Sequence, residues 1–372
     1  MKEEEGRNEL TEEEKRKMEE EKKKKKEEEE KKIMEKKEKK EETKNGGEGG
    51  KKIIRRDFWV DEMEVYSPSN INMEEMEEEM RRRKRRMEER CREIMKEEER
   101  KREINSKEFL ISKKYKLVWC NIFKSASSTW MYNYLRMGGK SPHELQNLKT
   151  SPVEAARQLY SRPSPEELLS YLGSGGEGVG EAGEGVGTGE GYLSFIIVRE
   201  PFQRLLSAYR DKIERVIPYY SSLRCKMTHE HRGGKGNTLF QHLLHSPSSP
   251  TCHPTFPQFV DYILEEEEKG GEQNEHWAPY YKFCSPCAAH FDLVLRFESL
   301  QRDEAYLLKK VQGLSEVVSP KVMHSSHANY TSIVASYYGQ LSPGQLLGLV
   351  KMYLPDFWLF GYSERPYLDL VV

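Results

Sequence analysis

Three short apolar runs organise the second part of the chain. They lie at residues 117–123 (LVWCNIF), 193–198 (LSFIIV) and 291–297 (FDLVLRF). Each is too short for a helix and ends in polar or turn-forming residues, so each reads as a buried strand. Helical spacing follows each one. After the first, residues 129–135 read as a helix, and residues 151–172 carry a second helical pattern around Ala155, Leu159, Leu168, Leu169 and Leu172. After the second, Phe202, Leu205, Leu206, Tyr209, Ile213 and Val216 fall on one face. Pro201 suits the first helical position, where a missing N–H costs nothing. Residues 226–256 are polar and read as a loop, followed by a short amphipathic helix at 256–264. After the third run, Tyr306, Leu307, Leu308 and Val311 mark a further helix. Strands alternating with helices predict an α/β fold with a central parallel sheet flanked by helices.

The N-terminal pattern is different. Residues 1–105 are mostly Glu, Lys and Arg, with runs such as KKKKKEEEEKK. Such blocks cannot bury enough apolar surface to fold alone. The expectation is a charged low-complexity tract at 1–105, disordered or a lone helix, ahead of a folded domain at 106–372, with order beginning near Lys113. Within the tract, Met73, Met76, Met80, Met87 and Cys91 recur at three-, four- and seven-residue spacings, which fits a charged amphipathic helix over 73–104. Residues 173–191 (GSGGEGVGEAGEGVGTGEG) read as a flexible surface insertion.

The net charge of −2 hides this asymmetry and argues neither for nor against a polyanionic partner; no nucleic-acid partner is expected. No run reaches the ~18 apolar residues needed to span a bilayer, and Met1 opens directly into charged sequence. The six cysteines, Cys91, Cys120, Cys225, Cys252, Cys284 and Cys287, do not by themselves fix a compartment. The Cys284–Cys287 pair forms a CxxC without the further regularly spaced ligands that zinc would need. Asn329 begins a sequon that matters only in a secretory lumen.

Two strand ends carry anion chemistry. The first run leads into Lys124, Ser125, Ala126, Ser127, Ser128 and Thr129. A strand, a turn of small hydroxyl residues and a helix start would aim several N–H groups at one point beside a lysine. The Walker glycine–lysine pattern is absent, which disfavours nucleotide kinases and NTPases. The second run ends at Arg199, followed by Glu200, Pro201, Arg204, Ser207 and Arg210. An arginine fork and a hydroxyl facing one pocket suit a phosphate monoester.

The lysine–serine loop and the R-x-P-F-x-R-x-x-S-A-Y-R element together resemble the two donor signatures of Golgi carbohydrate sulfotransferases. The likeness is to the branch with the HNK-1, chondroitin 4-O- and dermatan 4-O-sulfotransferases. FPQFVDYIL (256–264), EHWAPYYKFCSPCAAHFDLVLRFESL (275–300) and MYLPDFWLFGYS (352–363) agree in order. The chain departs from the family pattern at Phe123, where a proline is usual, and at Glu200, where an aspartate is usual. The resemblance implies a P-loop-like sulfotransferase fold. It implies transfer of a sulfuryl group from PAPS (3′-phosphoadenylyl sulfate) to a hydroxyl of a glycosaminoglycan or a glycoprotein sugar. It assigns Lys124–Thr129 to the 5′-phosphosulfate and Arg199, Arg204, Ser207 and Arg210 to the 3′-phosphate. Lys124 would also stabilise the leaving oxygen, His276 would serve as the base, and Glu275 is the alternative base. No metal is required. The CxxC becomes structural, and in a lumen these thiols can form disulfides whose pairing the sequence leaves open. Family members are type II membrane proteins of the Golgi lumen, so an upstream apolar segment is expected. A degenerate domain acting as an interaction protein is the competing reading; the presence of Lys124, Arg199 and Ser207 speaks against it.

Overall fold

The apolar runs assemble into one four-stranded sheet of order β1-β2-β3-β4: β1 Phe109–Ser112, β2 Leu117–Cys120, β3 Leu193–Val198 and β4 Leu293–Arg296. The computed structural model describes residues 67–94, 104–172, 191–229, 252–318 and 327–370. All of these belong to one unit, Trp59–Val372. β2, β3 and β4 are parallel, with Leu117 opposite Leu193 and Phe195 opposite Leu293; β1 is antiparallel to β2. The expected strands were longer at both outer runs. Residues 121–123 instead leave the sheet to build the first anion loop, and β1 precedes the point at which order was expected to begin. β1 is a four-residue edge strand, too short to stand out as an apolar run.

Alternation along the strands creates two cores. Trp119, Phe195 and Leu295 point to one face, where they meet Trp130, Tyr134 and Tyr306. Val118, Ile196 and Val294 point to the other, against Tyr280, Leu359 and Phe360. A parallel sheet buried on both faces is apolar at every position, which is why these strands read as continuous runs rather than alternating ones.

Six helices matter for the site: α1 Met73–Ile94, α2 Ser127–Met137, α3 Pro201–Ala208, α4 Phe256–Glu268, α5 Leu300–Lys310 and α6 Pro343–Phe360. A third apolar cluster joins α3, α4 and α6 through Phe202, Phe259, Trp277 and Tyr353. The pattern read across 151–172 is two helices, Pro152–Leu159 and Pro165–Leu172, broken around Pro163. The helix after β3 also differs from its single-face pattern. Beyond Ala208 the chain widens into a π turn, Tyr209–Glu214, closed by Arg215 N–H donating to Arg210 O at 3.3 Å. The helix ends at Glu214 and the chain is extended at Arg215, so Val216 lies beyond the helix and is half exposed. The segment read as a loop from 226 is helical to His229 (Ser221–His229).

α1 corrects the expected domain boundary. It is a helix, as its methionine spacing predicts, but it is not alone. It packs on α6 and β4, burying Met76, Met80, Met87 and Cys91. Arg83 reaches into the core, donating to Val294 O at 2.9 Å and to the fully buried Asp303 at 2.5 Å. Cys91 is bonded to Cys287. A helix so charged on its outer face can still belong to a core when its narrow apolar stripe is matched by a sheet edge. The N-terminal residues 1–66, the Gly-rich stretch 173–190 and part of the polar segment, 230–251, lie outside the described residues, as does the side chain of Asn329. Among the described residues no helix is long and apolar enough to cross a membrane.

All six cysteines are paired: Cys91–Cys287, Cys120–Cys284 and Cys225–Cys252. The two cysteines of the CxxC therefore point outwards. One ties the segment after the EHW block to α1, the other to the end of β2.

Candidate donor and catalytic site

The carboxyl ends of β2 and β3 face one another, which is where ligands bind in open α/β sheets. After β2 the chain turns sharply. Lys124 and Ala126 both adopt left-handed conformations, with φ of 69° and 61°. Left-handed backbone is costly for a residue with a Cβ and persists where surrounding structure enforces it. The result is a tight curl that ends in α2. No side chain caps the start of α2, so its first amides remain available for an anion, reinforced by the helix dipole. Ser125 is buried, Ser127 nearly so, Thr129 half-buried and Ser128 exposed.

β3 delivers Arg199 to the same place. Arg199 donates to Lys124 O at 3.4 Å and stacks on Phe297 at 4.4 Å. Glu200 caps α3, accepting from the N–H groups of Phe202 and Gln203 at 3.2 and 2.7 Å. It also accepts from Tyr367 at 2.7 Å. Burial pushes its carboxyl up to about 7, against the pull of those donors. The longer side chain that stands where aspartate is usual is thus used as a helix cap.

Tyr280, which sequence reasoning did not single out, joins the two loops. Its hydroxyl donates to Arg199 O at 2.7 Å, accepts from Arg199 N–H at 3.0 Å and lies 3.4 Å from Ser125 Oγ. The ring is fully buried, and burial pushes its hydroxyl up to about 12, so it remains a donor. Tyr280 follows the EHW block by a few residues, and that nearness was the only signal available.

The structure divides the expected 3′-phosphate residues. Arg204 is buried to 1% exposure. It donates to Phe123 O at 3.5 Å, to His276 O at 3.2 Å and closely to Ala278 O, and it lies over the Tyr280 ring. These three carbonyl contacts clamp the site, while Arg204 Nε is buried without a hydrogen-bond partner among the described residues. Ser207 is half-buried, without a hydrogen-bond partner among the described residues. Arg210 is exposed on the π turn, 3.6 Å from Glu214.

The same π turn brings in Asp211, also missed. Its carboxylate lies 2.9 Å from Lys124 Nζ and 3.2 Å from Lys212 Nζ. Burial pushes the Asp211 carboxyl up, but hydrogen bonds and charge from Lys124 and Lys212 outweigh it and hold the carboxyl low. Lys124 is itself held below the usual lysine range by burial. An internal carboxylate on this lysine competes with any anionic ligand. Asp211→Asn should therefore tighten binding of an anionic nucleotide several-fold, which calorimetry reads directly; weaker binding would mean that Asp211 instead holds the lysine in place.

His276 sits beside the first loop. Its ring packs 4.7 Å from that of Phe123, and only 7% of the residue is exposed. Asn274 Oδ1 accepts from the His276 backbone N–H at 3.0 Å and also lies 3.0 Å from Nδ1. The backbone donor fixes which amide atom faces the ring. Since that atom is an oxygen, Nδ1 carries the proton and Nε2 keeps its lone pair. Burial, with Lys212 and Lys124, pushes the imidazole down to about 3, so it is neutral at neutral pH. Glu275 Oε1 lies 3.7 Å from Nδ1, on the side away from the lone pair. Burial and then Glu108 push the Glu275 carboxyl up.

Residues 107–363 match the sulfotransferase family. The chain is 26% identical over 265 residues to the carbohydrate sulfotransferase 11 of Danio rerio, covering 71% of this chain and 69% of that one. It is 28% identical over 254 residues to the carbohydrate sulfotransferase 14 of Homo sapiens, covering 68% and 59%. A third similarity, 32% over 183 residues, is to the human carbohydrate sulfotransferase 8, covering 48% and 41%. No solved structure matches the chain significantly. The chain belongs to the sulfotransferase family, and its similarities lie with the carbohydrate sulfotransferases.

Proposed function

We propose that the protein transfers a sulfuryl group from PAPS to a glycan hydroxyl. The observation that carries this reading is the convergence of two strand ends at the uncapped α2 start: the Tyr280 hydroxyl joins Ser125 to Arg199, Arg199 donates to Lys124 O, and His276 packs on Phe123 just before Lys124. The residues fit the donor. The curl at 124–126 and the first amides of α2 would hold the 5′-phosphosulfate, and Arg199 with Ser207 would hold the 3′-phosphate.

The chemistry needs little covalent help from the protein, as in phosphoryl transfer. The acceptor hydroxyl attacks sulfur in line with the bridging oxygen of the leaving nucleotide. The new O–S bond forms as the old one breaks, and the acceptor proton passes to Nε2 of His276. Lys124 stabilises the negative charge that grows on the leaving oxygen. The nucleotide PAP departs, and His276 returns its proton to water. A bound donor would bring negative charge to Lys124 and Lys212, the cations that depress the imidazole, and so would make His276 a better base when a substrate is present.

A Golgi lumen location is part of the proposal. It is supported by three disulfides, which form and persist in oxidising compartments, and by the likeness to Golgi enzymes.

Titrating PAP into the protein by calorimetry tests the donor site, with ATP as the comparison. PAP should bind and ATP should bind far less well. Lys124→Ala should lower turnover more than PAP affinity, whereas Arg199→Ala should mainly weaken PAP. Each lost charged contact is worth about 1.5–3 kcal/mol. Equal losses of PAP affinity in both variants, with turnover unchanged, would overturn this division of roles.

A further inference from the structure

A cavity of about 840 Å³ opens beside the base, lined in part by Asn105, Glu108, Glu272, Gln273, Glu275 and Phe283. Its volume lies within the range of about 300–1,000 Å³ usual for small-molecule sites. Glu275 and Ala278 line it on either side of His276. Phe283 lines it too and meets the Phe123 ring edge-on at 6.3 Å. Phe123 packs on both Phe283 of the cavity wall and the His276 ring and directly precedes Lys124, so the cavity wall and the Lys124 loop share this residue. A sugar held there could present a hydroxyl to the imidazole while the donor lies on the other side.

The lining has the chemistry of a sugar site. Carboxylates and amides can each bond to neutral hydroxyls, and Phe283 offers an aromatic surface. Its charges are informative. Lys282 also lines the cavity but is closely paired with Glu267. Glu108 is paired with Arg157 at 3.5 Å. That leaves Glu272 and Glu275 against Lys107. At the rim, Glu265 is paired with Lys269 at 2.7 Å, Glu266 with Lys226 at 3.3 Å and Glu267 with Lys282, so α4 adds Glu268 just before the cavity-lining Gly270 and Gly271. Like charges brought together across an interface are strongly disfavoured, so a polymer carrying a carboxylate on every second sugar would meet repulsion here.

Building on the donor reading above, we infer that this cavity is the acceptor subsite and that it takes an uncharged sugar end rather than a uronate polymer.

The test compares sulfation from PAPS of uncharged oligosaccharides ending in galactose, N-acetylgalactosamine or N-acetylglucosamine with sulfation of unsulfated chondroitin. At least one uncharged acceptor should exceed chondroitin in kcat/KM by about tenfold or more. Glu272→Lys, on the exposed rim, should shrink that ratio several-fold while PAP affinity stays unchanged. Preference for chondroitin, or a ratio untouched by Glu272→Lys, would overturn the inference. A protein that binds PAP but sulfates none of these acceptors would overturn it as well, leaving the donor reading standing. Failure to bind PAP would overturn the donor reading itself.

Discussion

A chain beginning at Ser106 should fail to fold cooperatively, whereas one beginning at Ser67 should fold. The difference between the two isolates α1. Losing it exposes the surfaces that Met76, Met80, Met87 and Cys91 cover, each buried side chain contributing about 1.5–3 kcal/mol. It removes the Cys91–Cys287 bond, typically about 2–4 kcal/mol. It also strands Asp303, which is fully buried and paired with Arg83. Breaking such a pair by removing one partner costs about 3–5 kcal/mol. Together these losses match or exceed the total stability of about 5–15 kcal/mol expected for a domain. Chemical denaturation followed by circular dichroism reads the outcome. Arg83→Met in the full chain is the sharper probe: the midpoint should fall markedly because buried Asp303 loses the closer of its two guanidinium partners, Arg302 lying at 3.7 Å. A chain from Ser106 as stable as the one from Ser67 would show that α1 contributes nothing to the domain.

His276→Ala should lower turnover by about 10²–10⁴-fold, the usual effect of removing a general base. PAP affinity and the denaturation midpoint should stay near those of the unaltered protein. The reason is positional: the ring contacts Phe123 and is oriented by Asn274, and neither is a contact to the nucleotide. Asn274→Ala tests the orientation. Without Oδ1 to accept from Nδ1 the tautomer is no longer fixed, so turnover should fall with KM for the acceptor little changed. Glu275→Gln should cost less than His276→Ala, since Glu275 lies on the Nδ1 side. If Glu275→Gln costs more, Glu275 is the base.

The strands were legible because each is buried on both faces, and such strands are apolar at successive positions. The two loops at the strand ends could be singled out because lysine, arginine and small hydroxyl residues cluster there. Other features depend on contacts between distant parts of the chain. In sequence Arg83 looks like a solvent-facing charge and Arg204 like a phosphate ligand. One meets a buried carboxylate more than two hundred residues away, and the other meets three backbone carbonyls. Neither partner leaves a mark on the local pattern. The π turn at Tyr209–Glu214 also hides in sequence, because the apolar spacing continues through Ile213 as in an ordinary helix. That turn is what places Asp211 on Lys124. The sequence left the cysteine pairing open; each cysteine of the CxxC joins a remote segment, and pairing of that kind follows from topology alone.

The central claim is sulfuryl transfer from PAPS, and radiolabel transfer tests it most directly. The protein is incubated with ³⁵S-labelled PAPS and a panel of glycans, and label in the glycan is compared with PAP released. The account predicts label in at least one glycan, equal in amount to the PAP formed, and near-complete loss of both with Lys124→Ala or His276→Ala. PAP binding without any transfer to a glycan, or transfer that survives both substitutions, would contradict it.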